Sequence, residues 1–117
     1  MRFTLTALAC SALALPATAE TTLNLALGPI DTVETISYDC DGADPLQVQF
    51  VNAGANALAL AKVDGAMRIF VNVVSGSGAR YVSGADTLST KGQTALMENQ
   101  MDETKVQCTQ SGALPQD

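Results

Sequence analysis

From residue 36 onward, apolar and polar positions alternate with a period of two almost throughout. Ile36, Tyr38 and Cys40 alternate with Ser37, Asp39 and Asp41, and Leu46, Val48 and Phe50 alternate with Gln47 and Gln49. Met67, Ile69, Val71 and Val73 alternate with Arg68, Phe70 and Asn72, and Val106 and Cys108 with Lys105, Gln107 and Thr109. Successive side chains of a strand point to opposite faces, so each run predicts a strand with its apolar set turned to a core. Turn signals separate the runs: Asp41-Gly42, Asn52-Ala53-Gly54, Asp64-Gly65, Ser75-Gly76-Ser77-Gly78, Gly84-Ala85-Asp86 and Lys91-Gly92. Asp64-Gly65 is a two-residue hairpin signal, since glycine accepts the positive φ of a type I′ turn. This spacing predicts an antiparallel meander of seven or eight short strands. With few aromatics, closing that meander into a small β-barrel buries one face and removes the edges. Gln93 to Met101 fits either a helical or a strand period; Thr94 to Glu98 is read as strand.

The first 35 residues follow other rules. Arg2 precedes an apolar run from Phe3 to Leu15, then Pro16 and the small-residue pattern Ala17-Thr18-Ala19. This predicts a signal peptide over residues 1–19, cleaved after Ala19, and export to the periplasm. The run is too short to cross a bilayer, which takes about 20 residues, and no later segment is apolar enough to span one. Cys10 offers a second reading, a lipoprotein, but the apolar run continues past it and the triplet before it is Ala7-Leu8-Ala9, so cleavage and release are preferred. Residues 20–35 read as an N-terminal extension, in which Leu23, Leu25 and Leu27 alternate ahead of a Gly28-Pro29 turn. The barrel domain is expected over 36–117.

Charge and cysteines narrow the partners. Removing Arg2 leaves five basic residues against twelve acidic ones, a mature net charge of −7. Such a surface disfavours nucleic acid and anionic membranes and suits a basic protein partner. Cys40 and Cys108, an even pair in an exported chain, read as a disulfide joining the first and last main strands across the core. The bridge would close a loop of 68 residues.

Catalysis is hard to build from this inventory. There is no histidine, so a serine nucleophile would need a lysine base, and a lysine in an exposed turn stays charged. Asp39, Asp41 and Asp44 lack the further acids of a calcium loop and read as a solvated turn. No enzyme, metal or cofactor is expected. Topology is more informative: alternate connections of a meander share a rim, so the Ser75–Gly78 loop and the Lys91–Gly92 turn should be neighbours, although 14 residues separate Ser77 from Lys91.

The stretch holding those turns resembles the C-type lysozyme inhibitor family, the membrane-bound or periplasmic MliC/PliC-type proteins. Its Ser-Gly-x-x-Tyr loop is matched by Ser77, Gly78 and Tyr81, and its Lys-Gly turn followed by Ala is matched by Lys91, Gly92 and Ala95. Its Tyr-x-Cys and C-terminal cysteine are matched by Tyr38, Cys40 and Cys108. The resemblance implies a β-barrel that binds C-type lysozyme, with inhibitory contacts drawn from Ser77, Gly78, Tyr81, Lys91 and Gly92, of which Ser77 and Lys91 engage the two catalytic carboxyls. Tyr81 is expected to pack beneath its loop rather than to anchor the interface. The family carries aromatics just before the lysine turn, where this chain has Leu88 and Ser89. That departure keeps open an alternative, a periplasmic barrel that binds a different cell-envelope target.

Overall fold

A single closed antiparallel barrel realises the alternating pattern. The computed structural model describes residues 9–15 and 24–112, so the expected cleavage site at Ala19 and most of the expected signal peptide lie outside the described residues. Its strands are β1 (Thr32–Cys40), β2 (Leu46–Ala53), β3 (Asn56–Val63), β4 (Ala66–Val73), β5 (Ala79–Ser83), β6 (Asp86–Lys91), β7 (Thr94–Asn99) and β8 (Thr104–Gln110). Each pairs with the next and β8 closes on β1. β1 starts at Thr32, so the last four residues read above as extension are strand. The ambiguous segment at 93–101 is strand β7, as its period allowed. The Asp64-Gly65 hairpin has φ of 50° and 81°, positive at both central positions as a type I′ turn requires.

Two seams divide the barrel into halves. β4 meets β5 through three residue pairs and β1 meets β8 through three, whereas every other ladder has five or more. Each seam is fastened separately. Cys40 and Cys108 are directly paired across the β1–β8 seam and disulfide-bonded, so the bridge closes the sheet rather than crossing the core. Backbone bonds from Asp41 N to Gln107 O and from Ser111 N to Ser37 O, 2.9 and 2.8 Å, flank it. At the β4–β5 seam the Arg68 guanidinium donates to the buried Asp86 carboxylate and, at 3.1 Å, to the Ser83 carbonyl. The Asn99 amide completes that carboxylate's shell at 2.7 Å. A buried carboxylate costs several kcal/mol unless it is paired and hydrogen-bonded, and this one is both.

The core holds Tyr38, Val48, Phe50, Phe70, Tyr81 and Leu88, with Ala59, Ala61 and Ala95 between them. The Phe50 and Tyr81 rings stand 5.6 Å apart in a tilted pair, within the range where aromatic contacts add to burial. Burial pushes the Tyr38 phenol above its ordinary pKa, against the opposing hydrogen bond of the Gln110 side chain, and does the same to Tyr81.

One face assignment is reversed. Met67, Ile69, Val71 and Val73 point outward and are exposed, while Phe70 is fully buried. The reason lies in the neighbouring strand. The tight turn at 64–65 sets Ala61 against Arg68 and Ala59 against Phe70. The inward side of β3 is therefore small, and the ring of Phe70 fills the space it leaves. Burying that ring stabilises by about 1.5–3 kcal/mol, and dense interiors leave few gaps. The outward side of β3 and β4 is correspondingly apolar, and Leu25 and Leu27 of the extension lie near it, beside Val33, Leu58 and Ile69. Asp31 ties the extension down by accepting from Gly28 N at 2.6 Å and Gly54 N at 3.0 Å, which holds its carboxyl below the usual range.

Candidate functional site

Strand direction alternates around the barrel, so the connections fall on two rims. The lower rim carries the turns at 54–55, 74–78 and 92–93; the upper rim carries those at 41–45, 64–65, 84–85 and 100–103. The Ser77 loop and the Lys91–Gly92 turn therefore share the lower rim, and their contact is direct. Gly78 has φ +68°, and a Cβ built on it would stand 2.2 Å from the Thr90 carbonyl oxygen and 3.2 Å from Lys91 Cβ. Only glycine allows the first tip to lie this close against the strand end that carries the second.

Neighbouring residues outside the expected contact set hold both tips in shape. The Ser75 hydroxyl donates to the Ser77 carbonyl at 2.8 Å and accepts from Ser77 N at 3.4 Å, folding the loop on itself. The Thr94 hydroxyl donates to the Lys91 carbonyl at 2.9 Å, and Gln110 N donates to the Gln93 carbonyl at 2.8 Å. Short hydroxyl-to-backbone bonds of this kind are a common property of serine and threonine near turns. The Ser-Gly-Ser-Gly run carried the signal for Ser75; nothing local marks Gln110, which reaches the turn through the ladder.

Ser77, Gly78, Lys91 and Gly92 are exposed, free to meet a partner. Tyr81 is not; it is buried inside the barrel under the loop. The two positions that depart from the family pattern separate. Leu88 is fully buried in the core, whereas Ser89 lies on the outer wall paired with Arg80 and Leu96. The missing aromatic at 89 therefore affects the wall above Lys91 and leaves the core intact.

Charge is divided along the barrel axis. Among the described residues of the barrel and its lead-in, the lower ends of the strands and their turns carry Arg80 and Lys91 against Asp31 and Glu34. The upper ends carry eight acids (Asp39, Asp41, Asp44, Asp64, Asp86, Glu98, Asp102 and Glu103) against Lys62, Arg68 and Lys105. Arg68 is committed to Asp86, and Lys105 lies 3.8 Å from Glu98. The acidity of the chain is thus concentrated at the rim opposite Ser77 and Lys91.

Replacing Gly78 by alanine tests the arrangement. The new methyl group meets the Thr90 carbonyl and the residue is strained at positive φ, so the variant is expected to lose about 1–3 kcal/mol in chemical denaturation. The Lys91 and Gly92 amide resonances should shift with it. Unchanged stability and unchanged resonances would show that the two tips do not touch.

Comparison with known proteins agrees with this architecture. The family described as membrane-bound lysozyme-inhibitor of c-type lysozyme matches residues 38–106, which include both lower-rim tips and stop two residues short of Cys108. A membrane-bound lysozyme inhibitor of C-type lysozyme from Cupriavidus necator is 36% identical over 69 residues, covering 59% of this chain and 55% of the relative. Its counterpart from Pseudomonas aeruginosa is 38% identical over 69 residues, covering 58% and 54%. The chain thus spans about half the length of the curated relatives it matches. The crystal structure of Pseudomonas aeruginosa MliC in complex with hen egg white lysozyme superimposes with a TM-score of 0.67 at 29% identity, covering 82% of this chain and 100% of that one. With more than half of its residues matched by the family and the same barrel in a solved relative, this chain belongs to the MliC family of membrane-bound lysozyme inhibitors of c-type lysozyme.

Proposed function

We propose that the protein is an inhibitor of C-type lysozyme that acts by placing its lower rim in the enzyme's cleft. A retaining glycosidase holds two carboxyl groups about 5–5.5 Å apart across the scissile bond. A hydroxyl and an ammonium presented side by side can satisfy both without imitating a sugar. In this reading the Ser77 hydroxyl donates to one carboxyl and the Lys91 ammonium pairs with the other, while Gly78 and Gly92 let the backbone approach. A hydrogen bond to a charged group contributes about 1.5–3 kcal/mol. The observation that carries the proposal is the contact of Gly78 with Thr90 and Lys91, which brings both tips to one place.

Electrostatics supports the same orientation. An acidic cleft meets the rim that carries Lys91 and Arg80, while the net negative charge of the chain attracts a basic enzyme from a distance. The protein performs no chemistry in this role. The proposal extends to its location: an exported envelope protein, released after Ala19, with a lipid on Cys10 as the alternative that the relatives' description as membrane-bound keeps in view. Intact mass of the exported product separates the two.

Lysis of peptidoglycan-bearing cells, followed by turbidity, tests the activity. Purified protein is expected to slow a C-type lysozyme in proportion to its concentration and to leave G-type and I-type enzymes unaffected. Full lysis by the C-type enzyme in the presence of excess protein overturns the proposal, and equal inhibition of all three classes would point to the cell wall as the target.

A further inference from the structure

The upper rim opens into a cavity of about 680 Å³ that the lysozyme reading does not use. Its walls are the half-buried side chains of Leu46, Val63, Met97 and Val106 together with the Cys40–Cys108 bridge. The barrel flares here because β8 reaches β1 only through its last three residues, leaving Thr104–Val106 without a partner on that side. The volume lies in the range of small-molecule sites, which combine apolar walls with a few polar groups. Met97, and Met67 at the mouth, supply side chains that adapt to irregular guests.

Charge defines what the cavity would accept. Asp44 and Asp64 stand in its lining with Lys62 as the one cation, and Asp39, Asp41, Asp102 and Glu103 crowd the same end of the barrel. An anionic head would be repelled, whereas a cationic head gains an attraction to the exposed carboxylates that a wholly apolar guest lacks. We propose that the upper mouth binds a small cationic amphiphile, with its single apolar tail on the Leu46, Val63, Met97 and Val106 wall and its ammonium head among Asp44 and Asp64. The site is on the rim opposite Ser77 and Lys91, so a chain engaged with an enzyme below can hold such a guest above.

Calorimetric titration of the full chain with three ten-carbon probes below their micellar concentrations decides it: decyltrimethylammonium, decyl sulfate and decyl maltoside. The cationic probe is expected to bind once per chain, about tenfold or more tighter than the sulfate, with the maltoside between them. The Ala43→Trp variant changes an exposed residue of the 41–45 loop that lines the cavity and fills the mouth without touching the core. It should abolish binding while the melting temperature stays as in the parent. The Asp44→Asn, Asp64→Asn double variant should weaken the cationic probe about tenfold, the weight of two exposed charge pairs, and leave the maltoside unchanged. No binding of decyltrimethylammonium, undiminished binding to Ala43→Trp, or equal affinity for the sulfate would each overturn the inference. None of these results bears on inhibition at the lower rim, so the two readings fail separately.

Discussion

Replacing Ser77 and Lys91 together by alanine is expected to abolish the proposed inhibition of a C-type lysozyme and to leave the barrel as stable as before, the largest effect expected of any exposed substitution here. Both residues stand at exposed tips outside the core, and surface changes away from packing or caps shift stability by about 0.5 kcal/mol or less. Binding is another matter. Each tip is proposed to make one charge-assisted hydrogen bond worth about 1.5–3 kcal/mol, so the pair carries roughly two to four orders of magnitude in affinity. Lys91→Glu should be worse than Lys91→Ala, because it sets a like charge against two carboxylates. Inhibition constants together with melting curves check this. A well-folded double variant that still inhibits at parental concentration would remove the mechanism while leaving family membership untouched.

Losing the bridge acts on the fold itself. Cys40 and Cys108 are 68 positions apart in the chain, and cross-linking a loop of that length stabilises by about 4 kcal/mol in the chain-entropy account. For a domain of this size each kcal/mol moves the melting temperature by about 4–8 °C, so the Cys40→Ala, Cys108→Ala variant should melt on the order of 15–30 °C lower. The position of the bridge sharpens the expectation. It fastens a seam of only three residue pairs, whereas the β4–β5 seam keeps Arg68 and Asp86. Amide exchange should therefore rise first in β1 and β8 of the reduced protein, ahead of β5 and β6. Uniform exchange over all eight strands would show that the halves do not separate.

The contrast between the two cases shows what could be read in advance. Strand positions, the type I′ hairpin at Asp64-Gly65 and the common rim of Ser77 and Lys91 are local or topological facts. Period-two patterning and glycine chemistry encode them residue by residue, and a meander's alternating connections do the rest. The Ser-Gly-x-x-Tyr and Lys-Gly pieces stood out only through their resemblance to the family's motifs; taken alone they read as two glycine-rich turns.

Other features required the closed barrel. Counting apolar residues on β4 favours Met67, Ile69, Val71 and Val73 as the inward set, yet Phe70 is inside, because Ala59 and Ala61 across the ladder leave room that only a ring fills. Which face is buried is a property of two strands in register, and no single strand's pattern contains it. The bridge across the closing seam, the salt-bridged fastening at the other seam and the acidic upper mouth depend likewise on residues distant in the chain. The sequence by itself determined the elements, their order and the two tips; closure of the sheet decided which side chains face inward and what the opposite rim presents, since both follow from how strands far apart in sequence are staggered against one another.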